Sequence, residues 1–254
     1  MTQNPTYYYC LSWFFGYKKP GCKSLLSKLK SDKGDIEVKK YLMEKKFIMC
    51  LSIVMCCLVV TVVHAIETPK YTVIRSESDF QIRLYSESTW MSAPVLPATS
   101  FDNSTKTGFH RLYEYIHGDN LSSSKLAFTA PVLTSMPSSG DGYVVRMYVS
   151  DRFQGKPPPP NPELKLQIEK WKPQCMAVRT FSGFAADDNI YKEIEALINS
   201  VNRRGEDGRS SGTIQDKGSY TIAEYNGSSH KTGRVNEVWI RVSGLVSEGC
   251  PPSQ

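Results

Sequence analysis

Beyond residue 65 the chain is short of cysteine, of histidine and of net charge, and each shortage removes a class of function. Five of the seven cysteines (Cys10, Cys22, Cys50, Cys56 and Cys57) lie in the first 65 residues, which leaves Cys175 and Cys250. Two thiols give no metal-ligand spacing. They form one disulfide or stay free, since sequence alone cannot bring two Cα atoms within bonding range. The formal charge of +6 invites a nucleic-acid reading, but ten of the 31 Lys+Arg and only four of the 25 Asp+Glu fall in residues 1–65. The remainder holds 21 of each and lacks the basic footprint that nucleic acid requires. Catalytic patterns are missing as well: no G-x-S-x-G elbow, no H-E-x-x-H, no phosphate-cradling loop and no G-x-G-x-x-G after a strand. Asp187 and Asp188 read as carboxylates at a helix N-terminus, and Glu193 and Glu195 as a solvated helix face. No enzyme is expected.

What is present begins with residues 43–65. Met43 is followed by Glu44, Lys45 and Lys46, then by 17 uncharged residues, Phe47 to Val63, and closes on Val63-His64-Ala65. A basic start, an apolar run and small or branched residues at the −3 and −1 positions are the parts of a signal peptide. The expectation is cleavage after Ala65, with a signal anchor as the alternative, since such a run lies at the lower edge of what spans a bilayer. Met43 then reads as the start, residues 1–42 as an over-extended, disordered leader, and 66–254 as one domain in the secretory pathway, extracellular (apoplast) or vacuolar. Any membrane contact would come only through the uncleaved signal. Three N-glycosylation triplets, starting at Asn103, Asn120 and Asn226, agree mildly with that route.

Within 66–254, Tyr71–Arg75 and Phe80–Tyr85 alternate around a Ser/Asp turn and predict a hairpin. Trp90–Leu96 follows as a strand whose Pro94 points to an edge or an end. From Phe101 to His117 the period changes: Phe109, Leu112, Tyr113 and Ile116 recur at helical spacing, with Ser100 or Asp102 as cap and Gly118 as terminator. Lys125–Thr134 and Tyr143–Val149 read as extended, and Pro157–Pro160 as a stiff surface loop. The order then repeats, with strands at Leu164–Lys170 and Cys175–Phe181 and a helical stripe at Ile190, Ile194, Leu197, Ile198 and Val201 capped near Asp187 or Asp188. Strands at Ser219–Tyr225 and Val235–Val242 finish the chain. The expected fold is therefore α+β: a pseudo-two-fold strands–helix–strands duplication, about eight strands forming a distorted mixed barrel flanked by two long helices.

His110 and His117 share one face of the first helix, and His230 lies in a Ser/Gly-rich loop before the last strand. Exposed imidazoles are the ordinary outcome; the functional alternative is one axial ligand to a haem iron. Ala127–Val132 places a proline in a β pattern, and Gly233–Trp239 puts Arg-x-Asn-Glu ahead of an apolar strand, suggesting a buried polar network.

Taken with Glu67-Thr-Pro-Lys-Tyr-Thr-Val73, Phe80-Gln-Ile-Arg-Leu-Tyr85, Gly108-Phe-His-Arg-Leu-Tyr-Glu-Tyr-Ile116 and Phe181-Ser-Gly-Phe184, these segments resemble the SOUL haem-binding family, in order, from Glu67 to Val242. The run Ser182–Ile190 after a signal peptide looks most like plant members. The resemblance implies a duplicated α+β barrel and non-covalent binding of haem or another tetrapyrrole in an apolar groove beside the first helix, with no catalytic step. It places the groove near Lys106, Phe109, Tyr113 and His230: a lysine to pair with a propionate, and aromatic rings to stack on the macrocycle. His110 is the candidate iron ligand. A monomeric carrier, scavenger or buffer is expected; the alternative is a protein–protein interaction module that kept the fold and lost the ligand.

Overall fold

A computed structural model describes residues 39–52, 66–97, 99–153, 155–206, 212–216, 218–227 and 229–252. The chain divides into two compact units, Met1–His64 and Ala65–Gln254. In the first, residues 39–52 are helical; most of the leader and the Ala65 cleavage site lie outside the described residues. No helix among the described residues is long and apolar enough to cross a membrane.

In the second unit the chain runs β1 (Tyr71–Ser76), β2 (Gln81–Tyr85), β3 (Ser88–Val95), α1 (Phe101–Ile116), β4 (Val132–Met136) and β5 (Tyr143–Tyr148). It continues with β6 (Gln167–Trp171), β7 (Gln174–Ser182), α2 (Ile190–Glu206), β8 (Thr213–Ile214), β9 (Tyr220–Glu224) and β10 (Val235–Ser243). These strands form one 10-stranded sheet in the order β1-β2-β7-β10-β9-β4-β5-β3-β6, with β8 added on β10. Every strand pairing is antiparallel, which corrects the expected mixed sheet. The physical reason is connectivity. The crossovers bring each chain segment back beside its partner in the opposite sense, and no βαβ unit of the kind that generates parallel neighbours is completed.

The sheet nevertheless curls. β7 and β6 stand six strand spacings apart in the sheet order, roughly 29 Å if it were flat. Only Lys172 and Pro173 connect them, a tether that reaches about 11 Å. Ser86 and Glu87 impose the same constraint between β2 and β3. The result is a half-barrel rather than a closed barrel, because β1 and β6 end the hydrogen-bonded order without pairing to each other.

Alternation along the strands divides the core. One side chain set (Met91, Ala93, Val95, Val145, Met147) packs under Leu112, Tyr115 and Ile116 of α1. Another (Ile82, Ala177, Val238, Ile240, Val242) packs under Ile190, Ile194, Leu197 and Val201 of α2. The opposite face of the same strands gathers Tyr85, Trp90, Leu133, Tyr148, Met176, Val178, Ala223 and Trp239. Among these lies one buried ion pair: Arg83 Nη1 stands 2.8 Å from Glu237 Oε1. Tyr225 Oη and Trp239 Nε1 each donate to Glu237 Oε2 at 2.8 Å. The Arg-x-Asn-Glu segment thus supplies a buried polar network, as its pattern suggested: Glu237 is fully engaged, while Arg234 Nε and Asn236 Oδ1 have no hydrogen-bond partner among the described residues.

Local departures have local causes. β4 begins only at Val132, so 125–131 is not strand: Pro131 offers no N–H to a ladder, and β4 sits between β5 and β9, where one is needed. β6 starts at Gln167 because Pro162–Leu164 forms a 3-10 turn that tucks Leu164 into the α1 core. Pro94 is tolerated because pairing to β6 stops at Ser92. Asp187 does not cap α2. Its carboxylate accepts Phe101 N–H at 2.7 Å and Asp102 N–H at 3.2 Å, closing the N-terminus of α1 beside Ser100, whose hydroxyl accepts Asn103 N–H at 3.2 Å. Glu193 is not simply solvated, since its carboxylate pairs with Arg179 at 3.0 Å. Cys175 and Cys250 form a disulfide across a Cα separation of 5.7 Å, tying the C-terminal tail to β7.

Candidate functional site

The first helix presents its outer face as a strip of aromatic rings. Phe109 is half-buried over the α1 core, and Tyr113, one turn on, is 45% exposed. Their centroids stand 6.2 Å apart, and Phe128, from the segment before β4, meets Phe109 edge-on at 6.3 Å. Tyr113 is stacked by His117 at 3.8 Å. The His117 Nδ1 lies 2.8 Å from the Tyr113 carbonyl, a contact in which Nδ1 donates, leaving Nε2 as the ring's free lone pair. Lys106 is exposed one turn before Phe109 on the same helix. His110 is exposed, its Nε2 3.2 Å from Glu114. The structure thus brings Phe109 and Tyr113 together and adds Phe128 and His117. Phe128 stood in a recognised motif without a role, and its approach to α1 is a tertiary event invisible to local periodicity.

His230 belongs to a separate piece of structure. Its ring is exposed, and its carbonyl accepts Arg234 Nη1 at 3.1 Å. Arg234 is 4% exposed and holds the whole connection between β9 and β10. Nη1 donates also to Gly227 O at 2.7 Å, and Nη2 to Asn226 O at 3.0 Å and Glu224 Oε1 at 3.4 Å. The guanidinium lies 4.3 Å over the Phe184 ring. No ring contact or hydrogen bond among the described residues links His230 or Lys106 to the Phe109–Tyr113 pair.

Burial pushes the Glu224 carboxyl up to about 7, against the pull of Arg234 and with a smaller push from Asp102. A carboxyl whose folded value exceeds its unfolded 4.5 stabilises the fold fully below 4.5 and loses that contribution as pH rises through 7. Wild type should therefore lose about 1–3 kcal/mol of stability between those pH values. Urea denaturation of Glu224→Gln should show a flatter profile; superimposable slopes for the two proteins would refute this.

The curled face of the sheet holds a second feature, a hollow of about 400 Å³. Trp171, Met176, Trp239, Arg146 and Arg241 are among its walls. Arg146 is committed to Glu169 through Nε at 2.8 Å and Nη2 at 3.3 Å. Burial pushes the Glu169 carboxyl up, but the hydrogen bonds and positive charge of Arg146, with a smaller contribution from the Trp171 indole N–H, outweigh it and hold the carboxyl below the usual range. Nothing in the motif reading pointed here, and the expected strand Leu164–Lys170 stops one residue short of Trp171, which ends β6.

Comparison with known proteins gives this geometry a context. Human Heme-binding protein 2 is 30% identical over 186 residues, covering 70% of this chain and 86% of that protein. Heme-binding protein 1 of Xenopus laevis is 28% identical over 166 residues, 63% of this chain and 82% of the relative. Among solved structures, the EcmrR C-terminal domain superposes with a TM-score of 0.45 at 13% identity, over 68% of this chain and 98% of that one, a likeness too loose to support any argument. The model of the SOUL heme-binding protein family matches residues 66–241, nearly the whole folded unit, and the chain belongs to that family.

Proposed function

We propose that the chain binds haem or another tetrapyrrole non-covalently against the aromatic strip of α1, as a monomeric carrier, scavenger or buffer with no catalytic step. The observation that bears most weight is the clustering of Phe109, Tyr113, Phe128 and His117 on an exposed surface, next to Lys106. Flat rings and a neighbouring ammonium suit a flat macrocycle with anionic propionates. An exposed aromatic cluster is a binding surface more often than an accident of packing. Bound haem would supply its own iron chemistry; the residues of the chain hold its face and orient its acids. His110 is the iron ligand in this reading and His230 a contact from the connection between β9 and β10; His117, whose Nδ1 is already fixed by the Tyr113 carbonyl, is the alternative ligand.

The fold fits a duplication: under exchange of β2 with β6, β3 with β7, β4 with β9 and β5 with β10, the pairing order from β2 to β6 maps onto itself. A secretory route, with the signal removed after Ala65 and delivery to the apoplast or vacuole, is supported by the Cys175–Cys250 disulfide. Asn103 is exposed and available for a glycan, whereas Asn120 is buried with its amide spent on Tyr115 O, Ser124 O and the N–H groups of Ser122 and Ser124.

The test is a haem titration followed through the Soret band, on wild type and on Phe109→Ala, His110→Ala, His117→Ala and His230→Ala. Saturable binding is expected, weakened about tenfold by Phe109→Ala, with a displaced Soret maximum in the one histidine variant that removes the ligand. Absence of any saturable change in wild type would refute tetrapyrrole binding and leave the interaction-module reading.

A further inference from the structure

We propose that the hollow on the curled face is a second ligand site, for a compact aromatic carboxylate. Its size, about 400 Å³, falls within the range of small-molecule pockets. One wall is largely apolar: the Trp171 indole, half-buried and tilted against Trp90 at 4.9 Å, the buried Met176, and Trp239. The polar groups at its mouth are unevenly charged. Glu169 is neutralised by Arg146, whereas Asp216 accepts the Gly218 N–H at 3.0 Å within its own turn and keeps its charge, so the anionic end of a ligand is directed away from that turn and toward Arg241.

Arg241 is different. It follows Trp239 by two residues on the same face of β10, is exposed, and forms no ion pair among the described residues. It is shared with an adjoining hollow of about 250 Å³ whose rim adds Lys170 and Lys172 and includes no carboxylate side chain. Neither lysine forms an ion pair among the described residues. Uncommitted cations beside an indole wall select a ligand with one flat apolar body and one anionic end. A guanidinium recognises a carboxylate through two parallel N–H donors, which makes Arg241 the specificity determinant. The site is on the sheet face opposite the one α1 covers, so it is independent of the tetrapyrrole surface.

The full chain is titrated calorimetrically with 2-naphthoate and with uncharged 2-naphthalenemethanol. Saturable 1:1 binding of 2-naphthoate is expected, at least tenfold tighter than the alcohol. Arg241→Gln should weaken 2-naphthoate about tenfold while leaving the alcohol unchanged. Trp171→Leu should weaken both probes. Unchanged circular dichroism and an unchanged haem titration for Arg241→Gln establish that the variant is folded. Saturating haemin should leave 2-naphthoate binding intact, so a failure of haem binding would not touch this result. The proposal is overturned if wild type shows no saturable 2-naphthoate binding, if Arg241→Gln binds it as tightly, or if haemin competes with it.

Discussion

Arg83→Met should cost about 3–5 kcal/mol of folding free energy, read as a lowered urea midpoint at pH 7 with an unchanged slope. Arg83 and Glu237 lie on β2 and β10, separated in the sheet by β7, and both are nearly out of water at 6% and 5% exposure. Removing the guanidinium leaves a carboxylate whose remaining partners, Tyr225 and Trp239, are neutral donors. Two neutral hydrogen bonds do not offset the desolvation of a full charge. The variant must unfold more readily or take up a proton. That second route gives an internal check. Because that proton comes from solvent, the deficit against wild type should shrink as pH falls toward 4. The double variant Arg83→Met, Glu237→Gln removes both charges and should recover part of the loss, since apolar replacement of a whole buried pair is often nearly neutral. A deficit below 1 kcal/mol for Arg83→Met at pH 7 would show that the pair contributes specificity without net stability.

The same residues indicate what could be read from sequence. Gly233–Trp239 announced a buried polar network because charged residues ahead of an apolar strand must be satisfied if they are inside. It did not name Arg83, 154 residues away from Glu237, because partners across a sheet are fixed by strand order. Helices were legible for the converse reason: the stripe from Ile190 to Val201 is local, and α2 covers it. Hairpins were legible too, and β1–β2 pairs as its turn predicts. Pairings between strands distant in sequence, β2 with β7 or β4 with β9, were not, and with them went the antiparallel sense of the sheet. Asp187 shows the limit most plainly. Its position before α2 is a sound capping signal, yet the N-terminus it serves is that of α1, 86 residues earlier than its own place in the chain. At the site, Phe109 and Tyr113 follow from a four-residue spacing on a helix, whereas Phe128 arrives from a loop and the hollow under Trp171 arises only from curling.

The closeness of α1 to the sheet sets the last expectation. Gly108 is buried in mid-helix, where glycine costs a helix about 1 kcal/mol relative to alanine, so its presence needs a reason. A Cβ there would stand 2.4 Å from Val145 Cγ2 and 2.5 Å from Val145 Cβ, both on β5. No rotamer change relieves the second contact, so a larger residue must lift the helix or distort the strand. Gly108→Val should destabilise by about 3 kcal/mol and Gly108→Ala by less, its gain in helix propensity offsetting part of the strain. Val145→Ala removes the Cγ2 clash but keeps Cβ in place. In the double variant Gly108→Ala, Val145→Ala, the combined loss should therefore fall short of the sum of the single losses by a measurable coupling, without full recovery. Simple additivity would mean that α1 shifts freely and that its seat on β5 is not fixed by this contact. Function should follow the seat. Lys106, Phe109 and Tyr113 all ride on α1, while Phe128 belongs to the segment before β4, so lifting the helix separates the rings that form the aromatic strip. Haem affinity should then drop in Gly108→Val even at a denaturant-free pH and temperature where circular dichroism reports a fully folded chain.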